Sequence, residues 1–189
     1  MSDRLLKYWS QEQGASLLEL MAVVLLVAMM AVFTMPLLHH QIAVREIDTI
    51  ARRFVAHAQF ARGQALTLGE SVQIVPVHGN LWEEGWLVKS VCKPSLQKHF
   101  CTERHWFSQG AIDPIYFKGG GKQFIDPHSS RRGITFNAAG AAKSGQGGFV
   151  ANRLILGHDQ DPSLERQMIL SSGGRWRICD PSKDSRGCR

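Results

Sequence analysis

From Leu20 to Phe33 no side chain is polar, and Thr34, Met35, Pro36, Leu37 and Leu38 extend the apolar character. With Ala15 to Leu18 added, the stretch is about as long as the roughly 20 residues a bilayer-spanning helix needs. Only Glu19 interrupts it. A bare carboxylate inside hydrocarbon costs at least a few kcal/mol, so an intramembrane acid is by default a functional residue with a partner. The partner on offer is a positive charge, such as the amine freed if the chain were cut after Gly14. No Ala-x-Ala site closes the apolar run, which argues against a removed secretory peptide.

The short charged leader ending in Gly14, then Ala15-Ser16-Leu17-Leu18-Glu19 and the apolar run, closely resembles the class III signal of type IV prepilins and pseudopilins. The resemblance implies a prepilin peptidase that cuts between Gly14 and Ala15 and methylates the new first residue. It also implies that a glutamate at the fifth mature position, here Glu19, registers the subunit in a growing filament. Pro36 falls at the twenty-second position, where many pilins kink their helix. Ala15 stands where the family more often has Phe. The implied setting is the inner membrane, crossed once, with a periplasmic head that joins other pilin subunits in a pilus at the cell surface.

Beyond Pro36 helical periodicity resumes. Ile42, Ile47, Ile50, Phe54, Ala58, Ala61, Ala65 and Leu68 recur at steps of mostly three and four, with Arg45, Glu46, Arg52, Arg53 and Arg62 largely off that stripe. Such a pattern predicts an amphipathic helix laid on a head domain, stopped at Gly69. Strand signals follow: 71–77 and 82–91 as a hairpin around 78–80, weaker strands near 105–107 and 115–117, then 133–137, 152–156, and a hairpin of 166–170 with 175–179. Gly119-Gly120-Gly121 and 126–130 read as flexible or turn segments and 141–148 as a small-residue loop. The expected fold is α+β: leader 1–14, transmembrane or filament-core helix 15–38, amphipathic continuation 39–68, and a β-rich head 69–189 of antiparallel hairpins with a basic tail. A chain of 189 residues suits one such head.

The last fifteen residues carry Arg175, Arg177, Lys183, Arg186 and Arg189 against Asp180 and Asp184, half of the whole-chain excess of +6. Strand alternation places Arg175 and Arg177 on one face and Trp176 and Ile178 on the other. With the apolar pair inward, two guanidinium groups stand side by side in solvent. A Cys179–Cys188 bridge would hold Arg186 and Arg189 near them. Such a cluster suits a polyanion, because Arg binds phosphate bidentately and keeps its charge at any working pH; double-stranded DNA is the natural partner. The alternative is an edge strand carrying charge against aggregation.

Three motifs in the head, Trp82-Glu83-Glu84-Gly85-Trp86, the Gly133-x-x-Phe136-x-x-x-Gly140 step and Gly174-Arg175-x-Arg177, resemble those of the GspH/FimT group of pilin-like proteins. The last is similar to the "GRxR" element of FimT-type minor pilins, which are tied to DNA uptake in natural transformation. The resemblance implies DNA contact by Arg175 and Arg177; Arg186, Arg189 and Lys183 join by charge and proximity.

The four cysteines form two equally spaced pairs, Cys92/Cys101 and Cys179/Cys188. In an exported head local disulfides are the expected chemistry. Cys92, His99, Cys101 and His105 match no common zinc spacing, so no metal and no cofactor is expected. No nucleophile elbow, metalloprotease or phosphate-loop pattern occurs, and the chain does not read as an enzyme. Two functions remain: a DNA-binding minor pilin, and a purely structural GspH-type pseudopilin of type II secretion. Replacing Gly14 with a bulky residue is expected to leave a full-length precursor, whereas Glu19→Ala is expected to be cleaved but poorly assembled. Mass measurement of the membrane-held chain checks the first outcome, and normal processing of the Gly14 variant contradicts the cut site.

Overall fold

The stripe of small and apolar residues between positions 43 and 65 determines what the helix can pack against. In the computed structural model, which describes residues 16–91, 103–120, 124–125, 131–143, 148, 151–184 and 186–188, helix α1 runs from Leu17 to Leu68. Gly14, Ala15, the Cys92/Cys101 pair and Arg189 lie outside the described residues. The chain divides into two compact units at His40/Gln41. In the first, Leu17 to Met35 are exposed, and the helix there is long and apolar enough to cross a membrane. Glu19 occupies the first turn, and α1 passes position 36 without ending. Gly69 follows α1 with φ +67°, the left-handed conformation that ends helices.

In the second unit Ala43, Ile47, Ala51, Phe54, Ala58, Ala61 and Ala65 are buried in the core. Their steps of three and four are those of one helical face. Ala43 and Ala51 take the inward places expected of Ile42 and Ile50. Ile42 is exposed and Ile50 half-buried, and both flank a groove with Ile112 and Ile115. The described strands are β1 Val72–His78, β2 Leu81–Ser90, β3 His105–Gln109, β4 Ile115–Gly120, β5 Ile134–Phe136, β6 Ala142–Lys143, β7 Asn152–His158, β8 Glu165–Leu170 and β9 Trp176–Cys179; all but β6 are among those expected. Two stretches differ from expectation. Gly119 and Gly120 lie in β4, beside an irregularity in its pairing with β7, and Ala142–Lys143 of the small-residue loop pairs with β5.

The strands form two antiparallel sheets rather than one. A five-stranded sheet has the order β3-β2-β1-β5-β6 and a four-stranded sheet the order β4-β7-β8-β9. Both enclose Phe54, whose ring meets Trp82 and Trp86 from the first sheet and Phe117 and Trp176 from the second, edge-on, at centroid distances of 5.0 to 6.0 Å. The Trp-x-x-Gly-Trp step supplies two of these rings. Trp82 and Trp86 are both buried, across a stretch where the β1–β2 register shifts and Glu84 between them is exposed. Gly85, at φ +105°, leaves room for the backbone of β3, where a Cβ would overlap the Gln109 carbonyl.

Two polar ties at this helix–sheet seam have no sequence signature. Buried His158 lies 3.0 Å from Glu46 through Nε2, while its Nδ1 accepts from the Gln160 amide. Arg166 donates to Asp48 at 2.6 Å. A third tie, on the first sheet, is pH-sensitive. Trp86 Nε1 donates to His57 Nδ1 at 3.0 Å, a bond that needs a neutral acceptor nitrogen. Burial, and then the nearby Arg53 charge, hold the His57 pKa below the ordinary histidine value. A depressed folded value means that the unfolded chain binds the proton more readily. This contribution to stability is therefore complete above about pH 6.5 and declines as pH falls below it. Urea midpoints at pH 7.5 and pH 5.5 should show the drop, and His57→Gln should remove that part of it.

Candidate nucleic-acid interface

Three adjacent strands of the four-stranded sheet set the geometry of the tail. Arg153 of β7 lies opposite Ile169 of β8, which lies opposite Arg177 of β9. Residues in one cross-strand row share a face, so Arg153 and Arg177 stand on the same side about 9–10 Å apart, two strand spacings. That side is the outer one. Leu154, Leu156, Met168, Leu170 and Trp176, of opposite parity, are all buried in the core. Arg177 and Arg153 are exposed. Arg175, also exposed, immediately precedes β9. Its carbonyl accepts the Ser171 amide at 2.9 Å and its own amide donates to the Ser171 hydroxyl, which fixes the backbone of the turn.

Trp176 and Ile178 do share the inner parity, but only Trp176 is buried. Ile178 remains 38% exposed. It lies at the sheet edge, opposite Met168, and borders a hollow lined by the polar residues Asp48, Arg52, Arg166, Asp180 and Lys183.

A Cys179–Cys188 disulfide closes the tail, with Cα atoms 5.6 Å apart. Asp180 builds the loop inside it. Its carboxylate accepts the Ser182 amide and hydroxyl, and its carbonyl accepts the Lys183 and Asp184 amides. Arg186 is exposed on this loop. Arg153 pins the closing end, donating to the Cys188 carbonyl at 3.0 Å and to Gln167 Oε1 at 3.2 Å. Sequence reasoning missed Arg153. Alternation along β7 signals that it points outward, but its meeting with the tail depends on strand register.

The structure thus brings Arg153, Arg175 and Arg177 to one sheet face, with Arg186 on the attached loop. It sets Lys183 apart. That ammonium is 80% exposed and lies 3.7 Å from Asp180, in the hollow on the helix side. Asp180 is also bound by buried Arg166 at 3.1 Å, so Arg166 joins helix α1, through Asp48, to the start of the tail. Burial pushes the Asp180 carboxyl up, but the Ser182 hydrogen bonds and the Arg166 and Lys183 charges outweigh it and leave the pKa below the ordinary value. A depressed carboxyl contributes stability above about pH 4, lost as pH falls through its folded value.

Two motif glycines meet behind this face. Gly174 has φ +78°, and a Cβ on it would sit 2.5 Å from the Gly140 carbonyl and 2.8 Å from Arg62 Nε. Arg62 of α1 donates to that carbonyl at 2.8 Å. The turn before Arg175 is therefore seated on the last turns of the helix.

A family model described as "Type II transport protein GspH" matches residues 51–174. The fold is similar to that of the type IV minor pilin FimU of Pseudomonas aeruginosa PAO1, at 16% identity and a TM-score of 0.54, covering 77% of this chain and 96% of that one. It is also similar to the minor pseudopilin EpsH of the Vibrio cholerae type 2 secretion system, at 9% identity and a TM-score of 0.50, covering 72% and 98%. Comparison with curated protein sequences finds no match. Removing Arg166 takes one partner from each of Asp48 and Asp180, so Arg166→Ala should cost about 1.5–3 kcal/mol and loosen the tail. A urea titration with hydrogen exchange at residues 180–188 checks both effects.

Proposed function

Since this chain belongs to the GspH family, a family of pilin-like proteins, we propose that it is a minor pilin that binds DNA without sequence preference and supports DNA uptake in natural transformation. The observation that carries the reading is the cross-strand row that puts Arg153 beside Arg177 on the outer face, with Arg175 preceding them and Arg186 on a disulfide-closed loop. The family match ends at Gly174, so the basic tail from Arg175 onward lies beyond it. Arginine spaced over an open, water-facing sheet suits phosphates, which position a protein on a duplex but carry no sequence information. Arg189 would extend the same charge, and Lys183 would contribute little from the helix side. In this reading Gly14 and Ala15 are cut by the prepilin peptidase, Ala15 is methylated, Glu19 registers the subunit against other pilins, and the apolar half of α1 holds the chain in the inner membrane before assembly.

A second reading is a structural pseudopilin of type II secretion without DNA binding. The family description and the likeness of the fold to EpsH favour it, and the arginines would then only keep the β9 edge soluble.

Fluorescence anisotropy with two unrelated duplexes at several salt concentrations separates the two. The expected affinity is roughly micromolar for both duplexes and falls steeply with salt. Arg175→Ala and Arg177→Ala should each reduce the salt slope by about one. Arg153→Gln should do the same, showing that the site includes β7. Unchanged binding by the Arg175→Ala/Arg177→Ala double variant assigns the chain to the structural reading.

A further inference from the structure

The groove between α1 and the segment joining β3 to β4 has a volume of about 370 Å³, within the range of small-molecule sites. Its apolar surface comes from Ile42 and Ile50 on the helix and from Ile112 and Ile115 on the opposite wall. Ile42 is 52% exposed, so part of that surface lies uncovered. The two walls also carry opposite charges: Arg45 is exposed on α1, and Asp113 is exposed across the groove. Neither side chain has an ion-pair or hydrogen-bond partner among the described residues, and they are not paired with each other. The neighbouring charged groups are engaged. Glu46 meets buried His158 at 3.0 Å, and Arg53 donates to Gln109 Oε1 at 3.1 Å.

An occupant that uses all of these features carries an anion for Arg45, a cationic N–H donor for Asp113 and an apolar part for the isoleucines. Position in the chain says where such a molecule would come from. Ile42 follows Leu38, the end of the apolar run, so closely that the chain between them reaches at most about 14 Å even fully extended. The headgroup layer on each side of a bilayer is about 5–8 Å deep, and an arginine on a helix reaches back toward the N-terminal end. With the apolar half of α1 in a membrane, the groove therefore opens within reach of the headgroups. A phospholipid with a primary ammonium brings phosphate to Arg45, N–H donors to the Asp113 carboxylate, and its glycerol esters and upper methylenes to the isoleucines. An anionic lipid leaves Asp113 unmet, and a quaternary ammonium has no N–H to donate.

We propose that this groove holds the headgroup of a zwitterionic phospholipid bearing a primary ammonium while the chain waits in the membrane. The proposal rests on the reading of α1 as a membrane anchor and not on DNA binding. The test uses the full-length chain, first in flotation with phospholipid vesicles, then in detergent micelles doped with one phospholipid at a time and read by native mass spectrometry. The chain should float with the vesicles and retain one molecule of phosphatidylethanolamine. The preference over phosphatidylcholine and phosphatidylglycerol should be about fivefold, the upper end for one exposed ion pair. Asp113→Asn should abolish the preference over phosphatidylcholine and leave phosphatidylglycerol retention no weaker. Arg45→Gln should weaken retention of all three lipids about fivefold. If one variant fails to fold, judged by circular dichroism, the other decides alone. Failure to float overturns the anchor reading and this site with it. Flotation followed by equal retention of the three lipids, stronger retention of phosphatidylglycerol, a lipid-free protein dimer, or unchanged selectivity in the folded variants overturns this site alone.

Discussion

The ring of Phe54 is the contact on which the rest of the head depends. Four aromatic rings approach it edge-on, Trp82 and Trp86 from one sheet and Phe117 and Trp176 from the other. Each such pair adds about 0.5–1.5 kcal/mol beyond the area it buries. Their arrangement also ties the two sheets to one point of the helix. The flanking stripe of alanines lets the backbones come close enough for these rings to meet. Because Trp176 is one of the four, the strand that carries Arg177 is held by the same core that orients the helix. The charged face is thereby built on a fixed strand rather than on a free tail.

The end of the helix supplies a second anchor. Gly140 and Gly174 belong to different motifs, with strands β6, β7 and β8 between them, yet Arg62 bridges them through the Gly140 carbonyl. Neither glycine can gain a side chain without displacing that bridge or its neighbours. The Gly-Arg-x-Arg step is then best understood as two parts: a glycine that seats the turn on the helix, and arginines that the seated turn presents. The Arg166 tie to Asp48 and Asp180 repeats the device at the start of the disulfide loop. Arg62 makes its junction by donating to a carbonyl, whereas the Arg166 charge is met by Asp48 and Asp180. Arg153 combines two duties, fastening Cys188 while standing on the outer face.

Most of the fold was legible because its signals are local. Alternation, glycine turns and the three-and-four stripe each depend on neighbouring residues, so the strand positions and the helix end at Gly69 could be read directly. Facing between distant segments could not. Arg153 reads as an outward residue of β7, but only the register β7-β8-β9 sets it beside Arg177. Ile178 has the parity of a core residue, yet burial depends on what covers a face, and its edge position leaves it open. The choice of Ala43 and Ala51 over Ile42 and Ile50 has the same origin: hydrophobicity favours isoleucine, whereas close approach of helix and sheet favours alanine. Lys183 looked like part of the arginine cluster by proximity in sequence. The Asp180 turn carries it to the other side.

In the proposed role of a minor pilin the head would meet whatever the filament meets, and the physical layout suits a head that meets polyanions. A fixed strand carries arginine, a disulfide restrains the loop that adds to it, and Asp180 at the start of that loop is occupied by Arg166 and Ser182. The account stands or falls on where a duplex touches the head. Photo-crosslinking of the full-length chain to a DNA duplex, mapped by mass spectrometry, reads this directly. Crosslinks should concentrate in peptides covering 152–158 and 174–188 and should diminish as salt rises. Crosslinks confined to other surfaces, such as the outer face of the five-stranded sheet, would contradict it.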